Sequence, residues 1–374
     1  MNRRDFLKAG ACGALWLAGG AGCGRRQRNG APPALPAGAV RSSWHEPAAR
    51  GRLRCTLCPH RCELADGERA RCRVRMRHGD ALYSLAYGNP ALLLEDVIER
   101  TPFFHVLPGS RALSVSTAGC NLACQFCEVW DMALANPEDV HAYEMPPERV
   151  IAHAQASPGV RSVGYGFGEP TVFIEYMTAM AERARAAGLL NLLHTAGYIE
   201  PAPLRSIAGL MDAANVDLKG FDPAFYRDVT GGELAPVLAT LKRLAEASLH
   251  IEITNIVIPS LNDDMAAIGR MCRWIVAELG PHVPLHFARF YPLYRLSNLP
   301  QTPVATLDRA RATAREAGLR FVYVSRVTGH EAESSYCPVC NATVVERTGF
   351  VVDAVRLNDG LCAACDEPIP GRWS

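Results

Sequence analysis

Short apolar segments alternate with longer amphipathic segments along most of the chain after residue 110. The apolar segments are rich in Val, Ile and Phe and predict strands at residues 112–116, 162–167, 191–195, 215–218, 250–258, 284–290 and 320–324. Between the strands, apolar residues recur with helical spacing, for example in residues 174–187, 236–247 and 307–317. Gly188 and Gly318 follow two of these segments, at positions where helices commonly end.

This alternation predicts an α/β fold with a parallel sheet and helices outside it. No dinucleotide-binding glycine fingerprint follows the first strand, which favours a partial or full parallel (β/α) barrel over an open, doubly wound sheet. The 374 residues suffice for one such barrel with small appendages. In barrels of this kind the chemistry gathers at the C-terminal ends of the strands, and we expect the functional site there.

Charge and cysteine content narrow the function. The formal net charge is +1, without the basic excess typical of nucleic-acid binding, so we expect no nucleic-acid partner. Of the 14 cysteines, most fall in three tight sets. The sets are Cys55, Cys58, Cys62 and Cys72; Cys120, Cys124 and Cys127; and Cys337, Cys340, Cys362 and Cys365. Cysteines two residues apart suit a shared metal better than a mutual disulfide, so the sets indicate metal sites.

The central set, Cys120, Cys124 and Cys127, lies in one loop directly after the first predicted barrel strand. A [4Fe–4S] cluster has four irons, so three thiolates leave one iron without a protein ligand. By analogy with zinc, an open coordination position distinguishes a reactive site from a closed structural one. A zinc or structural site completed by a distant fourth cysteine is the alternative.

The same loop resembles the signature of radical S-adenosylmethionine (SAM) enzymes, a Cys-x3-Cys-x2-Cys motif with an aromatic residue before the last cysteine. Phe126 occupies that aromatic position, which lies near the adenine in the family. The resemblance implies a barrel of radical SAM type with a [4Fe–4S] cluster and SAM as cofactors. It also implies reductive cleavage of SAM to a 5′-deoxyadenosyl radical that abstracts hydrogen from a substrate.

Further resemblances lie at the ends of the following strands. Gly168-Glu169-Pro170 resembles the segment that binds the SAM amino group, and a carboxylate suits an ammonium group. Thr195 at the third strand end, and Asp217 and Lys219 at the fourth, resemble loops used for the ribose and carboxylate of SAM. The alternatives are an ordinary turn with an exposed acid at Glu169 and a solvated ion pair between Asp217 and Lys219.

The chain most resembles the radical SAM enzyme of the AmmeMemoRadiSam system, a relative of pyruvate formate-lyase activating enzyme. The resemblance rests on the cysteine pattern that starts at Cys55, on residues 101–110, on Asp217-Leu218-Lys219 and on the closing cysteine pairs. It implies a reductant such as a flavodoxin or ferredoxin. The implied substrate is a glycyl-radical protein, a Memo-like or Ammecr-like protein, or a small molecule. A non-catalytic metal-binding or electron-transfer protein on a decayed barrel is the competing class.

The two flanking cysteine sets predict further metal centres. Cys55, Cys58, Cys62 and Cys72 supply four thiolates for zinc or an auxiliary cluster, with disulfides as the alternative. The two closing Cys-x2-Cys pairs are typical of a zinc ribbon or a rubredoxin-like site for zinc or iron. We therefore expect a Cys-rich segment at residues 51–105, the barrel at residues 106–329 and a zinc-ribbon-like module at residues 330–374.

The N-terminus resembles an export signal. Arg3-Arg4 precedes a short apolar segment that ends in small residues before Cys23. We expect a twin-arginine signal at residues 1–23, with Cys23 as a candidate lipidation site, and a Pro- and Gly-rich linker at residues 24–50. The expected location is the periplasm or a membrane-anchored lipoprotein, and the alternative is the cytoplasm.

Overall fold

The computed structural model describes residues 34–140 and 143–374, so the candidate signal at residues 1–23 and the start of the predicted linker lie outside the described residues. The described chain opens with β1 (Val40–Ser42), β2 (His45–Pro47), β3 (Leu53–Cys55), β4 (Glu63–Leu64), β5 (Arg75–His78) and β6 (Ala81–Ser84). They form two three-stranded antiparallel sheets, in the orders β1-β6-β5 and β2-β3-β4.

The first two strands lie inside residues 24–50, which the composition had predicted to be a linker. β1 pairs with β6, and β2 pairs with β3, so both strands belong to the sheets that carry the first cysteine set. Local Pro and Gly content did not reveal them because the hydrogen-bond partners lie later in the chain. The Cys-rich segment therefore starts before residue 51.

A single eight-stranded sheet forms the barrel. Its strands are β7 (Leu92–Val97), β8 (Arg111–Ser116), β9 (Val160–Tyr165), β10 (Leu190–Thr195), β11 (Ala213–Asp217), β12 (His250–Val257), β13 (Leu285–Arg289) and β14 (Val322–Ser325). Strands β8 to β14 are parallel neighbours in chain order, and β7 pairs antiparallel with β8 at one edge. Since β7 and β14 end the strand order, the barrel is partial. Every predicted barrel strand overlaps one of β8 to β14, which confirms the α/β parallel fold.

Helices connect the parallel strands. They are α1 (Trp130–Ala133), α2 (Pro147–Ala156), α3 (Ile174–Ala186), α4 (Pro201–Ala208), α5 (Pro223–Phe225), α6 (Leu234–Glu246), α7 (Met265–Glu278) and α8 (Val304–Glu316). Short 3₁₀ turns lie at Ala49–Gly51, Ile98–Arg100, Pro137–Asp139, Pro170–Phe173, Tyr294–Leu296 and Glu331–Glu333, and a π-helical turn at Tyr226–Thr230. α3, α6 and α8 match the three segments predicted from helical spacing.

The core lies between the sheet and these helices. Met177 and Ala181, one turn apart on α3, are buried, and so are Val163 of β9 and Leu193 of β10. All four belong to the same apolar cluster. The i, i+4 spacing of apolar residues on the helix therefore produces its buried face. Within the described residues, no helix has the length and apolar character that a membrane crossing requires.

A small β-rich module closes the chain with β15 (Ser335–Tyr336), β16 (Thr343–Thr348), β17 (Val351–Val355), β18 (Leu357–Asn358) and β19 (Leu361–Cys362). A fully buried ion pair joins it to the barrel, with 3.4 Å between Arg347 Nε and Glu99 Oε1. Arg347 Nη2 also donates to the carbonyl of Phe104 at 2.6 Å. The module is thus attached through charged groups that cannot be separated without leaving one unpaired in the interior.

Candidate active site and metal centres

The three-cysteine loop starts directly after β8. Gly119 has a φ of +90°, and a Cβ there would lie 2.4 Å from the carbonyl oxygen of Cys72. Only glycine fits this turn, which brings Cys120 onto the C-terminal edge of the sheet. The backbone N–H of Leu122 points at Cys120 Sγ from 3.4 Å.

The rest of the loop is held by the π-helical turn. Ala123 N donates to Thr230 O at 2.8 Å, and Gln125 N donates to Val229 O at 2.9 Å. The Gln125 side chain adds a third bond, from Nε2 to Asp228 O at 2.8 Å. These bonds fix the loop that carries Cys124 and Cys127 before any metal is bound, which reduces the ordering that metal binding requires.

All three thiols are held in their protonated form by the protein alone. Burial raises the pKa of Cys124 to about 11, although the nearby Lys219 ammonium acts in the opposite direction. Burial also raises the pKa of Cys120, well above that of an ordinary thiol, and that of Cys127. A bound metal must therefore displace three protons, and the ammonium of Lys219 offsets part of the negative charge that results.

Glu169 lies at the end of β9 with its carboxylate almost fully buried, at 3% exposed. Oε1 accepts hydrogen bonds from Thr171 N at 3.0 Å, Thr171 Oγ1 at 2.6 Å and Thr195 Oγ1 at 2.7 Å. Oε2 accepts one bond, from Ala196 N at 2.9 Å. Glu169 is therefore not the exposed acid of an ordinary turn, and Oε2 keeps capacity for a further donor.

The turn before Glu169 needs unusual backbone. Phe167 has a φ of +62°, and the N–H of Gly168 donates to Ser116 Oγ at 3.0 Å. A Cβ at Gly168 would lie 2.4 Å from that same oxygen. The sequence Gly-Glu-Pro thus packs against the end of β8, and Pro170 starts the 3₁₀ turn that places Thr171 under the carboxylate.

Asp217, Lys219 and His194 form a charged group at the ends of β10 and β11. Lys219 Nζ donates to Asp217 Oδ2 at 2.8 Å, and His194 Nε2 lies 3.1 Å from Asp217 Oδ1. The side chains of Asp217 and Lys219 are only 20% and 12% exposed, so this is not a solvated ion pair. Burial alone would raise the pKa of Asp217, but Lys219 and His194 outweigh it and hold that pKa well below its usual range. Lys219 Nζ also lies 5.8 Å from the ring centre of Phe126.

Two adjoining cavities contain these groups. The smaller, about 80 Å³, is lined by Cys120, Gly168, Glu169, Thr195 and Ala196 among others. The larger, about 190 Å³, is lined by Cys124, Phe126, Thr254, Arg326 and Phe350 among others. The two share lining residues, which are Cys127, Val129, Phe167, His194, Asp217 and Lys219. Sequence-distant groups therefore meet around one continuous space at the C-terminal edge of the sheet.

The four C-terminal cysteines form a different kind of site. Cys337 Sγ lies 3.6 Å from Cys365 Sγ, and Cys340 Sγ lies 3.7 Å from Cys362 Sγ. All four sulfur atoms lie within 4.8 Å of one another. A tetrahedral ion with metal–sulfur bonds of about 2.3 Å places its sulfurs about 3.8 Å apart. The set therefore fits one metal ion with closed four-sulfur coordination.

A family model described as "Radical SAM superfamily" matches residues 114–272, which run from β8 to α7. An uncharacterized protein of Methanocaldococcus jannaschii is 36% identical over 330 residues, which cover 87% of this chain and 97% of that protein. The chain belongs to the radical SAM superfamily.

Other relatives match parts of this radical SAM chain. The 7-carboxy-7-deazaguanine synthase of Thermococcus kodakarensis is 32% identical over 127 residues, 30% of this chain and 50% of that enzyme. The benzylsuccinate synthase activating enzyme of Thauera aromatica is 31% identical over 109 residues, 29% of this chain and 33% of that enzyme. A solved domain of pyruvate-formate lyase-activating enzyme from Bacteroides vulgatus is 16% identical with a TM-score of 0.40, covering 44% of this chain and 98% of that domain.

Membership of the radical SAM superfamily implies a [4Fe–4S] cluster and SAM, and the residues of the loop fit them. Thiolates are the ligands that iron–sulfur clusters take. Within residues 34–140 and 143–374, the tight grouping of a single-ion site is found in the C-terminal set alone. Cys120, Cys124 and Cys127 therefore do not form such a single-ion group, and Glu169 lines the same cavity as Cys120 and Cys127.

Several cavity residues were not predicted as site residues. Phe167 and His194 line both cavities, and Phe350 of the C-terminal module lines the larger one. Arg326, with a φ of +66°, forms an ion pair with Glu128 at the rim of the larger cavity. His194 was detectable, because it directly precedes Thr195 at a strand end. Phe350 was not, since it reaches the cavity only through the docking of a separate module.

Proposed function

We propose that this chain cleaves SAM reductively in the smaller cavity and abstracts hydrogen from a substrate held in the larger one. The observation that carries the proposal is the meeting of the three-cysteine loop with Glu169 around the smaller cavity. The shared lining gives a radical formed there direct access to the larger cavity. Closed metal sites that only stabilise a fold have no such adjoining space.

In this proposal Cys120, Cys124 and Cys127 hold the cluster and leave one iron for the amino and carboxylate groups of SAM. When bound, the cluster supplies the electron that breaks the carbon–sulfur bond of SAM. Glu169 Oε2, which accepts a single hydrogen bond in the structure, accepts another from an N–H of the SAM amino group. The carboxylate is positioned for this by Thr171, Thr195 and the backbone of β10's C-terminal end.

The charged group at β11 binds the remainder of SAM. Asp217 accepts hydrogen bonds from the ribose hydroxyls, and Lys219 pairs with the carboxylate of the methionine moiety. Because Asp217 is held as an anion and Lys219 as a cation by their mutual contact, both are charged at neutral pH. Phe126 lies beneath the Lys219 ammonium, in the part of the larger cavity that adjoins the smaller one, and provides an apolar surface there for the adenine.

SAM cleavage tests this proposal. Full-length protein, reconstituted with iron and sulfide without oxygen and reduced with dithionite, is incubated with SAM, and 5′-deoxyadenosine is quantified by chromatography. We expect wild-type protein to release it and Cys124→Ala to fall to the level of protein-free controls. Cys272→Ala is the matched control, since Cys272 is a buried cysteine of α7 that lines neither cavity.

Equal and negligible product from wild type and Cys124→Ala, with an intact cluster in the wild type, would overturn the proposal. That result would favour the competing class, a non-catalytic metal-binding or electron-transfer protein. Product formation by Cys124→Ala at the wild-type rate would instead remove the loop from the reaction.

We further propose that the chain is of the AmmeMemoRadiSam type and takes its electron from a flavodoxin or ferredoxin. The motifs that start at Cys55 and the Asp217-Leu218-Lys219 loop support this assignment. Relatives include an activating enzyme and a 7-carboxy-7-deazaguanine synthase, so a protein substrate and a small-molecule substrate each have support. Incubation with purified Memo-like, Ammecr-like or glycyl-radical proteins, read by mass spectrometry and EPR, separates the two. A SAM-dependent mass change or a glycyl radical identifies a protein substrate.

We also propose export by the twin-arginine route, supported by Arg3-Arg4 and the apolar segment before Cys23. This route carries folded proteins, so metal centres can be inserted in the cytoplasm first. Cell fractionation tests it: wild-type protein is expected in the periplasm or membrane, and an Arg3→Lys/Arg4→Lys variant in the cytoplasm. Full-length, unprocessed wild-type protein confined to the cytoplasm would contradict it.

A further inference from the structure

The N-terminal cysteines, predicted as a site for zinc or an auxiliary cluster, converge in the structure. Cys55 ends β3, Cys58 and Cys62 follow in the loop to β4, and Cys72 lies in the turn before β5. All four line one cavity, together with Arg75 and Asn121. Each is a free thiol, so they are not joined as disulfides.

Their spacing differs from that of the C-terminal set. There, sulfur pairs lie 3.6 and 3.7 Å apart, as expected for ligands of one tetrahedral ion. Among the described residues, the N-terminal sulfurs do not reach that tight grouping, although they surround the same cavity. Four thiols spread around one space suit a centre in which each sulfur binds a different metal atom, as in a cluster of four irons.

A buried polar group at this cavity lacks a partner. Arg75 is 1% exposed, and both of its Nη atoms donate hydrogen bonds to the Glu175 carboxylate. Arg75 also donates from Nη2 to Val172 O at 3.0 Å. Its Nε, which is also buried, has no hydrogen-bond partner. An unpaired buried N–H is costly, and the sulfur atoms of a bound metal centre can accept a hydrogen bond from it. An iron–sulfur cluster offers inorganic sulfides in addition to the cysteine thiolates, which are the only sulfur acceptors at a zinc ion. The guanidinium also balances the charge of ligated thiolates.

The site adjoins the three-cysteine loop. The carbonyl of Cys72 packs so closely on Gly119 that a Cβ there would lie 2.4 Å away. His60 Nε2 lies 2.7 Å from the carbonyl oxygen of Asn121, the residue after Cys120. Asn121 thus belongs to the wall of the N-terminal cavity, while its neighbour Cys120 lines the smaller active-site cavity.

We propose that Cys55, Cys58, Cys62 and Cys72 hold a second [4Fe–4S] cluster beside the first. All four of its irons are ligated by the chain, so this cluster exchanges electrons and does not bind SAM. The unpaired Arg75 N–H would be available to a sulfur of this cluster, and hydrogen bonds to the sulfurs tune the reduction potential of iron–sulfur clusters. The proposal concerns the identity of the metal centre and does not require that SAM be cleaved.

Metal and sulfide analysis of full-length protein purified without oxygen tests this. With two clusters we expect about eight acid-labile sulfides per chain, four from each cluster. A Cys120→Ala/Cys124→Ala/Cys127→Ala variant should keep about four sulfides and, once reduced, an EPR signal that SAM does not change. This variant leaves the N-terminal segment untouched, so misfolding of that segment cannot explain its result. The C-terminal site does not contribute to the sulfide count, because a single metal ion bound by four cysteines brings no inorganic sulfide.

The reciprocal Cys58→Ser/Cys62→Ser variant should lose about four sulfides and retain an EPR signal that responds to SAM. Cys272→Ala should match the wild type. About four sulfides in the wild type, with one zinc ion that disappears in Cys58→Ser/Cys62→Ser, would overturn the second cluster and leave SAM cleavage unaffected. Absence of sulfide from the triple variant would overturn it as well.

Discussion

The three-cysteine loop after β8 and the four-cysteine module at the C-terminus use the same side chain in opposite settings. In the module, the sulfurs lie close together, and two of the four residues, Cys340 and Cys365, are exposed. In the loop, all three cysteines are half-buried, and Cys120 and Cys127 line a cavity that is also lined by Glu169. Four thiols can saturate one ion, whereas three thiols would leave one iron of a cluster without a protein ligand beside an acidic side chain.

This difference shows that the number of cysteines alone does not separate structural from reactive sites. What separates them is whether the remaining coordination position opens onto space lined by other functional groups. A metal site that only folds a segment with little apolar core, as we expect of the module, has no need of such space. The loop depends on groups supplied by β9, β10 and β11.

Removal of the module's metal should have the largest effect. A structural zinc ion contributes on the order of 10 kcal/mol to folding, comparable with the total stability of many domains. Cys362→Ala should therefore lose one metal ion per chain, and residues 330–374 should become sensitive to limited proteolysis. The visible absorption of the iron–sulfur centre should remain. If Cys362→Ala lost that absorption while residues 330–374 stayed resistant to proteolysis, the assignment of the iron–sulfur centre to the loop and of the structural ion to the module would be wrong.

The second largest effect is expected from breaking the buried ion pair between Arg347 of the module and Glu99 of the barrel. Arg347→Met leaves Glu99 uncompensated in the interior and should lower the free energy of unfolding by about 3–5 kcal/mol, measured by chemical denaturation. Arg347→Met/Glu99→Gln should recover part of this loss because no lone charge remains. Equal stability of Arg347→Met and the wild type would show that the pair does not hold the module in place.

The loss of unfolding free energy in Arg347→Met should also depend on pH. Burial raises the pKa of Glu99, and Arg347 opposes that rise, so the variant's Glu99 has a still higher pKa. A carboxyl group with a raised folded-state pKa costs stability as the pH increases, since the ionised form is the disfavoured one. The gap between variant and wild type should therefore narrow as the pH falls from about 8 to about 5. A gap that widens on acidification would contradict this explanation.

The smallest effect concerns the SAM contact. Glu169→Gln removes the negative charge opposite the SAM amino group, and a hydrogen bond to a charged carboxylate is worth about 1.5–3 kcal/mol. SAM affinity, measured by equilibrium dialysis with the reconstituted protein, should fall about tenfold to a hundredfold. Glu331→Gln, at a carboxylate paired with Arg311 on the surface, should change nothing. Unaltered affinity in Glu169→Gln would remove this residue from the SAM site.

The parallel strands and main helices were predictable from sequence because their signals are local. Apolar segments of β8 to β14 and the helical spacing of α3, α6 and α8 each lie within one element. The positions of the cysteines, Glu169, Asp217 and Lys219 followed from one further rule, that parallel strands end at a common edge. These residues do meet there.

The rest depended on contacts distant in sequence. β1 and β2 are strands only because β6 and β3 supply their hydrogen-bond partners. Phe350 lines the larger cavity because the C-terminal module docks on the barrel through Glu99. Burial of Asp217 and Lys219, which distinguishes a binding group from a solvated pair, is likewise a property of packing.

The central claim is that Cys120, Cys124 and Cys127 hold a [4Fe–4S] cluster with one iron free to bind SAM. Its most direct test is EPR and ENDOR spectroscopy of the reduced full-length protein, with and without SAM labelled with ¹⁵N in the amino group or ¹⁷O in the carboxylate. We predict a SAM-dependent change in the EPR signal and hyperfine coupling between the labels and a cluster. An unchanged signal without such coupling, from a fully reconstituted and reduced cluster in this loop, would contradict it.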